Sequence, residues 1–536
     1  MNPDLYRYTP DAAKIKHRAY SYFIFFGGNM RRFFSRYVLA AVLVLLFLFC
    51  VGAFLVRSAL KMSFFFPAYY IFTAVCAFLI VNGEERPEYK LSGLALSVIF
   101  PFVGAVFYGL ICRRGMRSDE RDLLEKIENE RGKLYRSDTA VFFRFARAYP
   151  NAIGMVFSLT DGAQRAVIYN NSACSYYGEG EKMYLKMLSD LEKAKRYIFL
   201  EYYIISDGEM WQTVYEILKR KAAEGVKIRI LYDDVGCMKT LPKEISARTK
   251  TNGIEYAVFS PVTPLLSVIH NNRDHRKIML VDGNIAYTGG INIGDEYINK
   301  KSPFGKWKDS GVRIKGDGAV GFLGIFLSMW AYARGECESF CAFAPERAES
   351  VSDGGYYIPF STGPKPVYKI NTGRALLLNI INQSRDYLYI TTPYLVTDHE
   401  LTHAFINAAK RGVDVRIITP GIADKKIVNI MTKSFYPPLV NEGVKIYEYT
   451  PGFIHSKCVV CDDLFAIVGS INVDYRSLMH NFEDAVLMCA SHAVLAVKED
   501  ILRVAAESHR ISDSDKLLNP AKKLIRLAAG IISPIL

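Results

Sequence analysis

The chain has 536 residues, 50% of them hydrophobic, and a formal net charge of +13 at pH 7. With a positive mean hydropathy, this composition rules out reading the whole chain as an ordinary soluble enzyme and assigns part of it to lipid. The charge calls for an anionic partner, and by itself it does not choose between nucleic acid and an acidic membrane surface.

Residues 1–36 form a basic segment that ends in Arg31, Arg32 and Arg36. Three apolar runs follow, at residues 37–56, 63–81 and 91–112. Each is near the ~20 residues a helix needs to cross a bilayer. They are almost uncharged and have no polar face, which argues against buried helices of a soluble core. Pro67 and Pro101 are compatible with spanning helices, because neighbouring segments can satisfy the freed backbone groups. The polar stretch before the first run and the apolar runs after it argue against a cleaved signal peptide. Residues 37–112 are therefore expected to be a transmembrane block. Arg113, Arg114 and Arg117 follow it, so both flanks are basic. The positive-inside rule puts both in the cytoplasm, which three full crossings cannot do. One run then lies in the interface, or the amino terminus is outside, and the catalytic part is cytoplasmic. Cys174, Cys237, Cys337, Cys341, Cys458, Cys461 and Cys489 are an odd set without disulfide-scaffold spacing, in keeping with a reducing compartment.

From about Glu120 the pattern is α/β, with short apolar strands alternating with amphipathic helices, and it repeats itself. A strand at 197–205, a helix running to Gly225 and a strand at 226–231 match a strand at 387–392, a helix ending at Gly412 and a strand at 413–418. This predicts two like halves, 120–345 and 355–515, each with a mainly parallel sheet. They join in the irregular Gly- and Pro-rich stretch 344–366, and a basic, apolar tail follows at 516–536.

Each half carries one further motif. His275-Arg276-Lys277 leads to Asp282 and, six residues on, to Gly289, Gly290 and Asn292; His455-Ser456-Lys457 leads to Asp462 and, at the same spacing, to Gly469, Ser470 and Asn472. One such match could be accidental, but two in duplicated halves are strong. Residues two apart on a strand share a face, so each His lies beside its Lys. Asp282-Gly283 and Asp462-Asp463 read as tight turns to a returning strand that brings Asn292 and Asn472 back toward the pair. If the halves pack about a pseudo-twofold axis, two imidazoles, two ammonium groups and two amides converge. That cluster suits a phosphodiester: Lys and Asn hold its non-bridging oxygens, one His attacks phosphorus and the other protonates the leaving oxygen. The lysines and amides supply the charge stabilisation, so neither a metal nor a cofactor is expected.

The other histidines read differently. His270, His480, His492 and His509 are expected to be ordinary hydrogen-bonded side chains. His399-Glu400-Leu401-Thr402-His403 matches a zinc-peptidase pattern, but Asp398 reads as a helix N-cap and no Glu occurs between Glu400 and Glu442 to complete a site. Cys458 and Cys461 lie in a predicted strand, where packing is their role. The basic patches 113–121 and 516–526 adjoin apolar sequence and suit a membrane surface.

The paired motifs are those of the phospholipase D superfamily, and the chain most resembles bacterial cardiolipin synthases over nearly its whole length. Further residues that carry the resemblance are Arg86-Pro87-Glu88-Tyr89-Lys90, Glu201-Tyr202-Tyr203, Tyr232-Asp233-Asp234, Trp307-Lys308-Asp309, Ser361-Thr362-Gly363-Pro364 and Asn481-Phe482-Glu483. It departs from the pattern in the extra apolar run, in Gly290 where many members have Ser, and in Cys458 and Cys461. The resemblance implies a duplicated phospholipase D-like α-β-α sandwich with pseudo-twofold halves behind an N-terminal transmembrane block. It implies a catalytic set of His275, Lys277, Asp282, His455, Lys457 and Asp462, with Glu201, Glu483, Asn292 and Asn472 as orienting groups. It further implies a multi-pass protein of the bacterial cell membrane that joins two phosphatidylglycerol molecules into cardiolipin and glycerol. The reaction passes through a phosphohistidine on His275, with His455 as acid and then base. Another phosphatidyltransferase or a phospholipase D hydrolase would use the same site. A nuclease of the superfamily would fit the charge but has no need of the apolar block, so the expected partners are phosphatidylglycerol and anionic lipid, not nucleic acid. The intact motifs also argue against a scaffold with a dead site.

Overall fold

The structure, a computed structural model, describes residues 65–83, 86–99, 116–135, 139–160, 166–241, 253–261, 272–345 and 350–512. The expected segment 1–36, the first apolar run, the third run beyond Ile99 and the tail 516–536 lie outside the described residues, as does His270. The chain divides into two compact units, residues 1–79 with 262–271, and residues 80–261 with 272–536. In the first, residues 65–79 belong to the helix Phe65–Val81, which matches the second apolar run and exposes Tyr70, Ile71, Val75 and Phe78. Among the described residues no helix is long and apolar enough to cross a membrane.

The second unit is built on two large sheets. The strands of its first half are β1 (Ser172–Tyr177), β2 (Tyr197–Tyr202), β3 (Lys227–Asp233), β4 (Ile254–Phe259), β5 (Arg273–Asp274), β6 (Lys277–Val281), β7 (Ile285–Gly289), β8 (Lys306–Lys308) and β9 (Gly311–Gly316). Seven of them form a sheet in the order β1-β9-β7-β6-β2-β3-β4. The second half has β10 (Tyr356–Thr362), β11 (Tyr387–Thr391), β12 (Leu395–Val396), β13 (Asp414–Pro420), β14 (Lys445–Tyr449), β15 (Gly452–Ile454), β16 (Cys458–Cys461), β17 (Phe465–Gly469), β18 (Val473–Asp474), β19 (Asn481–Cys489) and β20 (Ser508–Arg510). Its main path, β10-β19-β17-β16-β11-β13-β14-β20, repeats the central order of the first.

The duplication is as the sequence predicts, but the expected parallel character is not. Along these two paths β2·β3 and β3·β4, with β11·β13 and β13·β14, are the parallel neighbours and the others run antiparallel; β5, off the second path, pairs parallel with β19. The motif strands decide this. Asp282 and Gly283 have φ of 53° and 77°, and Asp462 and Asp463 have φ of 51° and 55°. Two successive positive φ values make a type I′-like turn, whose twist matches that of an antiparallel hairpin. Each motif strand is therefore followed at once by its antiparallel partner.

Strand alternation then sorts the apolar side chains into layers. From β6, Ile278 and Leu280 enter a central core, while Met279 and Val281 enter an outer one. From β16, Val460 faces the central core, and Val459 and Cys461 the opposite outer one. The central core is shared by both sheets and filled by the helices Gly318–Arg334 and His492–Ala506. Each fully buried Leu or Ile here contributes about 1.5–3 kcal/mol relative to exposure. The helices Gly180–Leu191 and Glu209–Ala223 cover the first sheet, and Thr372–Gln383 and His399–Lys410 cover the second. The chain does not keep strictly to its halves. Val141, Phe145, Met155 and Leu159, which precede β1, pack into the outer core of the second half.

Candidate active site

The two halves exchange backbone at the motifs. β5, just before His275, runs parallel to the start of β19, and β15, just before His455, runs parallel to β8. The His275 N–H donates to the Phe482 carbonyl at 2.9 Å, and the His455 N–H to the Lys308 carbonyl at 2.7 Å. Each histidine is thereby held next to a carboxylate of the other half. His275 Nδ1 lies 2.9 Å from Glu483 Oε2, and His455 Nδ1 lies 2.7 Å from Asp309 Oδ2. An Nδ1–H given to a carboxylate fixes the tautomer and leaves the lone pair on Nε2 for substrate. Lys277 and Lys457 each donate to the carbonyl of their own histidine, so both ammonium groups stay beside the rings.

The site is closed and crowded with positive charge, and the titrations follow from that. Burial, with Lys277, Lys457 and His455 close by, holds His275 well below its ordinary value. Burial and Lys457 lower His455 to about 4, against the pull of Asp309. Burial lowers Lys277 to about 8 and Lys457 to about 7. Burial pushes the Glu483 carboxyl up to about 7 against the pull of Lys277. Burial would raise Asp309 too, but the His455 ring and its hydrogen bond outweigh it and keep that carboxyl below the usual range. The site thus has two neutral imidazoles and two weakened ammonium groups, an arrangement that a bound anion would relieve.

The two histidines have different surroundings. Glu483 also accepts from Ser477 Oγ at 2.6 Å and Asn481 Nδ2 at 3.2 Å, and the Tyr203 ring lies 4.9 Å from that of His275. Asp309 accepts from the Ser310 N–H at 2.8 Å, while Tyr297, Trp307 and Phe453 surround the His455 ring. Between each His and Lys, the intervening residue faces a different floor. Arg276 lies 3.5 Å from Glu201 and bonds Tyr368, whereas Ser456 bonds Ser310 at 2.8 Å and Thr391 at 2.9 Å.

Of the residues singled out in the sequence, His275, Lys277, His455, Lys457 and Glu483 come together. Asn472 is linked to them through Ser477, whose Oγ accepts its backbone N–H and donates to Glu483; its side chain bonds Asp474, and its buried Oδ1 has no hydrogen-bond partner among the described residues. Asn292 is committed elsewhere, its amide donating to Tyr297 at 2.6 Å and accepting from the Ile204 N–H at 3.1 Å. Glu201 faces Arg276 instead of either histidine, and burial and Asp274 push its carboxyl well above the carboxylate range. Asp282 and Asp462 sit at the far ends of the motif strands. Asp282 accepts from the N–H groups of Lys195, Arg196 and Tyr197, and Asp462 from those of Arg385, Asp386 and Tyr387. They anchor the hairpin turn to the neighbouring strand. The His399 and His403 rings lie 4.2 Å apart on a helix capped by Asp398, and among the described residues no group of three or more metal-ligating side chains occurs.

The model described as "Cardiolipin synthase, PLD-like domain" matches residues 187–302 and 377–504, the stretches that carry the two motifs. A cardiolipin synthase of Alkalihalophilus pseudofirmus is 32% identical, over 87% of this chain and 93% of its own. One of Halalkalibacterium halodurans is 30% identical, over 92% of this chain and 99% of its own. The chain belongs to the cardiolipin synthase family. Its fold is also similar to that of the phosphatidylserine synthase of Haemophilus influenzae, with a TM-score of 0.53, 14% identity and coverage of 68% of this chain and 95% of that one.

For a member of this family, the structure accounts for Gly290, which stands where many superfamily members carry Ser. A Cβ at this position would run into the Asp309 carboxylate, so Gly290 leaves room for the partner of His455. Ser470, its counterpart, places its hydroxyl against the backbone of Asp484 and among the groups that favour the ionised Glu483. Sequence reasoning did not single out Asp309 as a site residue. Aligning the repeats through Asn292 and Asn472 could have found it, but Asp309 follows Asn292 by 17 positions and Glu483 follows Asn472 by 11.

Proposed function

We propose that this chain is a cardiolipin synthase that transfers a phosphatidyl group from one phosphatidylglycerol to the primary headgroup hydroxyl of another, releasing glycerol. The observation that carries the reading is the crossed pair of His–carboxylate contacts, His275 with Glu483 and His455 with Asp309, beside two buried lysines. Lys277 and Lys457 hold the non-bridging oxygens, with the Asn472 amide beside them. His275 Nε2 attacks phosphorus while the His455 imidazolium gives its proton to the departing glycerol oxygen. His455, now neutral, takes the proton of the second headgroup hydroxyl as that oxygen forms its bond to phosphorus and the bond to His275 breaks. The bound phosphodiester offsets the positive charge that keeps both rings neutral, so His455 can hold its proton when substrate is present. The contrast in partners supports this order. Asp309, kept anionic, stabilises an imidazolium, whereas Glu483, raised toward neutrality and shared with Ser477, suits a neutral nucleophile.

The apolar N-terminal segments are assigned to the bacterial cell membrane, with the catalytic unit on the cytoplasmic side, where donor, acceptor and product stay within reach. Tyr89, which follows the second run, hydrogen-bonds His480 at 3.1 Å, next to the strand that carries Glu483. The test is to give the purified full chain labelled phosphatidylglycerol in vesicles and identify the products. Cardiolipin with glycerol supports the reading. Phosphatidic acid alone would make the enzyme a hydrolase, and cleaved DNA without lipid turnover would overturn both readings.

A further inference from the structure

The helix Lys426–Ser434 turns Met431, Thr432 and Ser434 inward and leaves Ile427 and Ile430, one turn apart, on its outer face. Ile427 is 72% exposed, the most exposed large apolar side chain among the described residues, and Ile422 in the loop before the helix is 42% exposed. A single exposed Ile needs no explanation, but three on one short segment form a patch. Lysines frame it: Lys425 and Lys426 at the start of the helix, Lys433 at its end, and the exposed Lys306 on the adjoining β8. Asp424 and Glu448 offset part of this charge, through ion pairs to Lys425 at 3.2 Å and Lys433 at 2.8 Å. The patch remains cationic, with the exposed Lys426 next to Ile427.

Its place in the fold gives the patch a purpose. The Ile422 N–H donates to the Gly452 carbonyl at 3.3 Å, at the start of the short strand that ends just before His455. Lys425 donates to Tyr394 at 2.9 Å and is among the charges that depress His275. One edge of the patch therefore borders the catalytic cluster.

We propose that the segment 421–433 is a membrane-docking surface, on which Ile422, Ile427 and Ile430 enter the headgroup–acyl boundary of an anionic bilayer while Lys425, Lys426 and Lys433 meet its phosphates. Apolar residues framed by lysines on an amphipathic helix are the pattern of interfacial binding. The surface would hold the catalytic cluster against the leaflet that supplies its lipids, independently of the N-terminal anchor. The inference rests on the phospholipid reading of the site, and its test does not depend on turnover.

The full-length Ile427→Trp variant is reconstituted into phosphatidylglycerol–phosphatidylcholine vesicles, with and without lipids brominated at shallow acyl positions. The native Trp211, Trp307 and Trp330 are buried, at 1%, 8% and 4% exposure, so the added indole dominates any change. Bromolipid is expected to remove at least half of the added emission, and Lys426→Glu in the same background to reduce that quenching at least twofold. Quenching no greater than in the parent chain overturns the docking surface. Equal quenching in purely zwitterionic vesicles overturns the anionic requirement. Added emission that is blue-shifted but unquenched overturns the proposal in favour of a protein partner or a second copy of the chain. Loss of cardiolipin synthesis with quenching retained would fault the assigned reaction and leave the docking surface standing.

Discussion

Replacing Asp309 by Asn keeps the shape of the site and removes one charge. The carboxylate receives the Nδ1 proton of His455 at 2.7 Å, in a place where both side chains are nearly sealed from solvent. Hydrogen bonds to charged groups contribute about 1.5–3 kcal/mol, and the amide retains only the neutral part of that interaction. A loss of about 1–2 kcal/mol from the imidazolium corresponds to glycerol departure slowed by about 5- to 30-fold. Single-turnover release of labelled glycerol from phosphatidylglycerol measures it. A phosphatidyl donor with a nitrophenolate leaving group needs no proton, so the variant should transfer from it within about threefold of the parent rate. Glu483→Gln should slow both donors alike, because it disturbs the attacking ring. If Asp309→Asn slowed both donors equally while keeping the parent melting temperature, His455 would not be the acid. Full activity on phosphatidylglycerol would show that Asp309 has no part in the step.

The free-enzyme pH profile should fall on the alkaline side. Burial lowers Lys277 to about 8 and Lys457 to about 7, so rising pH removes in turn the two charges that bind the phosphodiester, and kcat/KM is expected to drop toward tenfold per pH unit above about 7 and toward a hundredfold above about 8; a profile flat to pH 10 would contradict it. Asp282→Ala leaves three N–H groups without their acceptor and should cost about 2–5 kcal/mol of stability, seen as a lowered melting temperature, with the kcat of the remaining folded enzyme changed far less. Gly290→Ser should push Asp309 away from His455 and lower turnover at least tenfold, whereas Ser470→Gly, on the other side, should be much milder. EDTA should leave transfer unchanged, since the lysines supply the charge; recovery of a lost activity by zinc would bring His399 and His403 back into consideration.

The residues to which the chemistry is assigned were readable because the duplication shows them twice: His275 and His455, with Lys277 and Lys457, stand at identical spacing. The same regularity misled where a motif residue serves the fold. Asp282 and Asp462 travel with the histidines in sequence, yet five residues of extended chain carry each to the opposite end of its strand, where backbone N–H groups require an acceptor. The strand–helix–strand repeats are parallel as read, and the two-residue turns at Asp282 and Asp462 do lead to returning strands; what failed was extending the parallel character to sheets in which those hairpins and their outer neighbours run antiparallel. Asp309 escaped because its importance lies across the interface: nothing local in Trp307-Lys308-Asp309 indicates that His455 lies 2.7 Å away.

That crossed arrangement also explains why the two histidines can differ although their motifs match. In each half the His-x-Lys strand supplies a ring and an ammonium group, but the partner of the ring comes from the other half, at the end of a connection from the motif Asn, and those connections differ in length and content. The loop between Asn292 and Asp309 brings aromatic rings and a lone carboxylate to His455, while the shorter stretch from Asn472 to Glu483 brings Ser477 and Asn481 to share the carboxylate with His275. The floors differ in the same sense, with the buried Arg276–Glu201 pair on one side and the hydroxyls of Ser456, Ser310 and Thr391 on the other. In the proposed mechanism the repeat thus fixes which groups meet the phosphate, and the unrepeated residues set the protonation of each. Exchanging Asp309 and Glu483 alone should not exchange the roles of the histidines, because Gly290 and Ser477 hold each carboxylate to its own side.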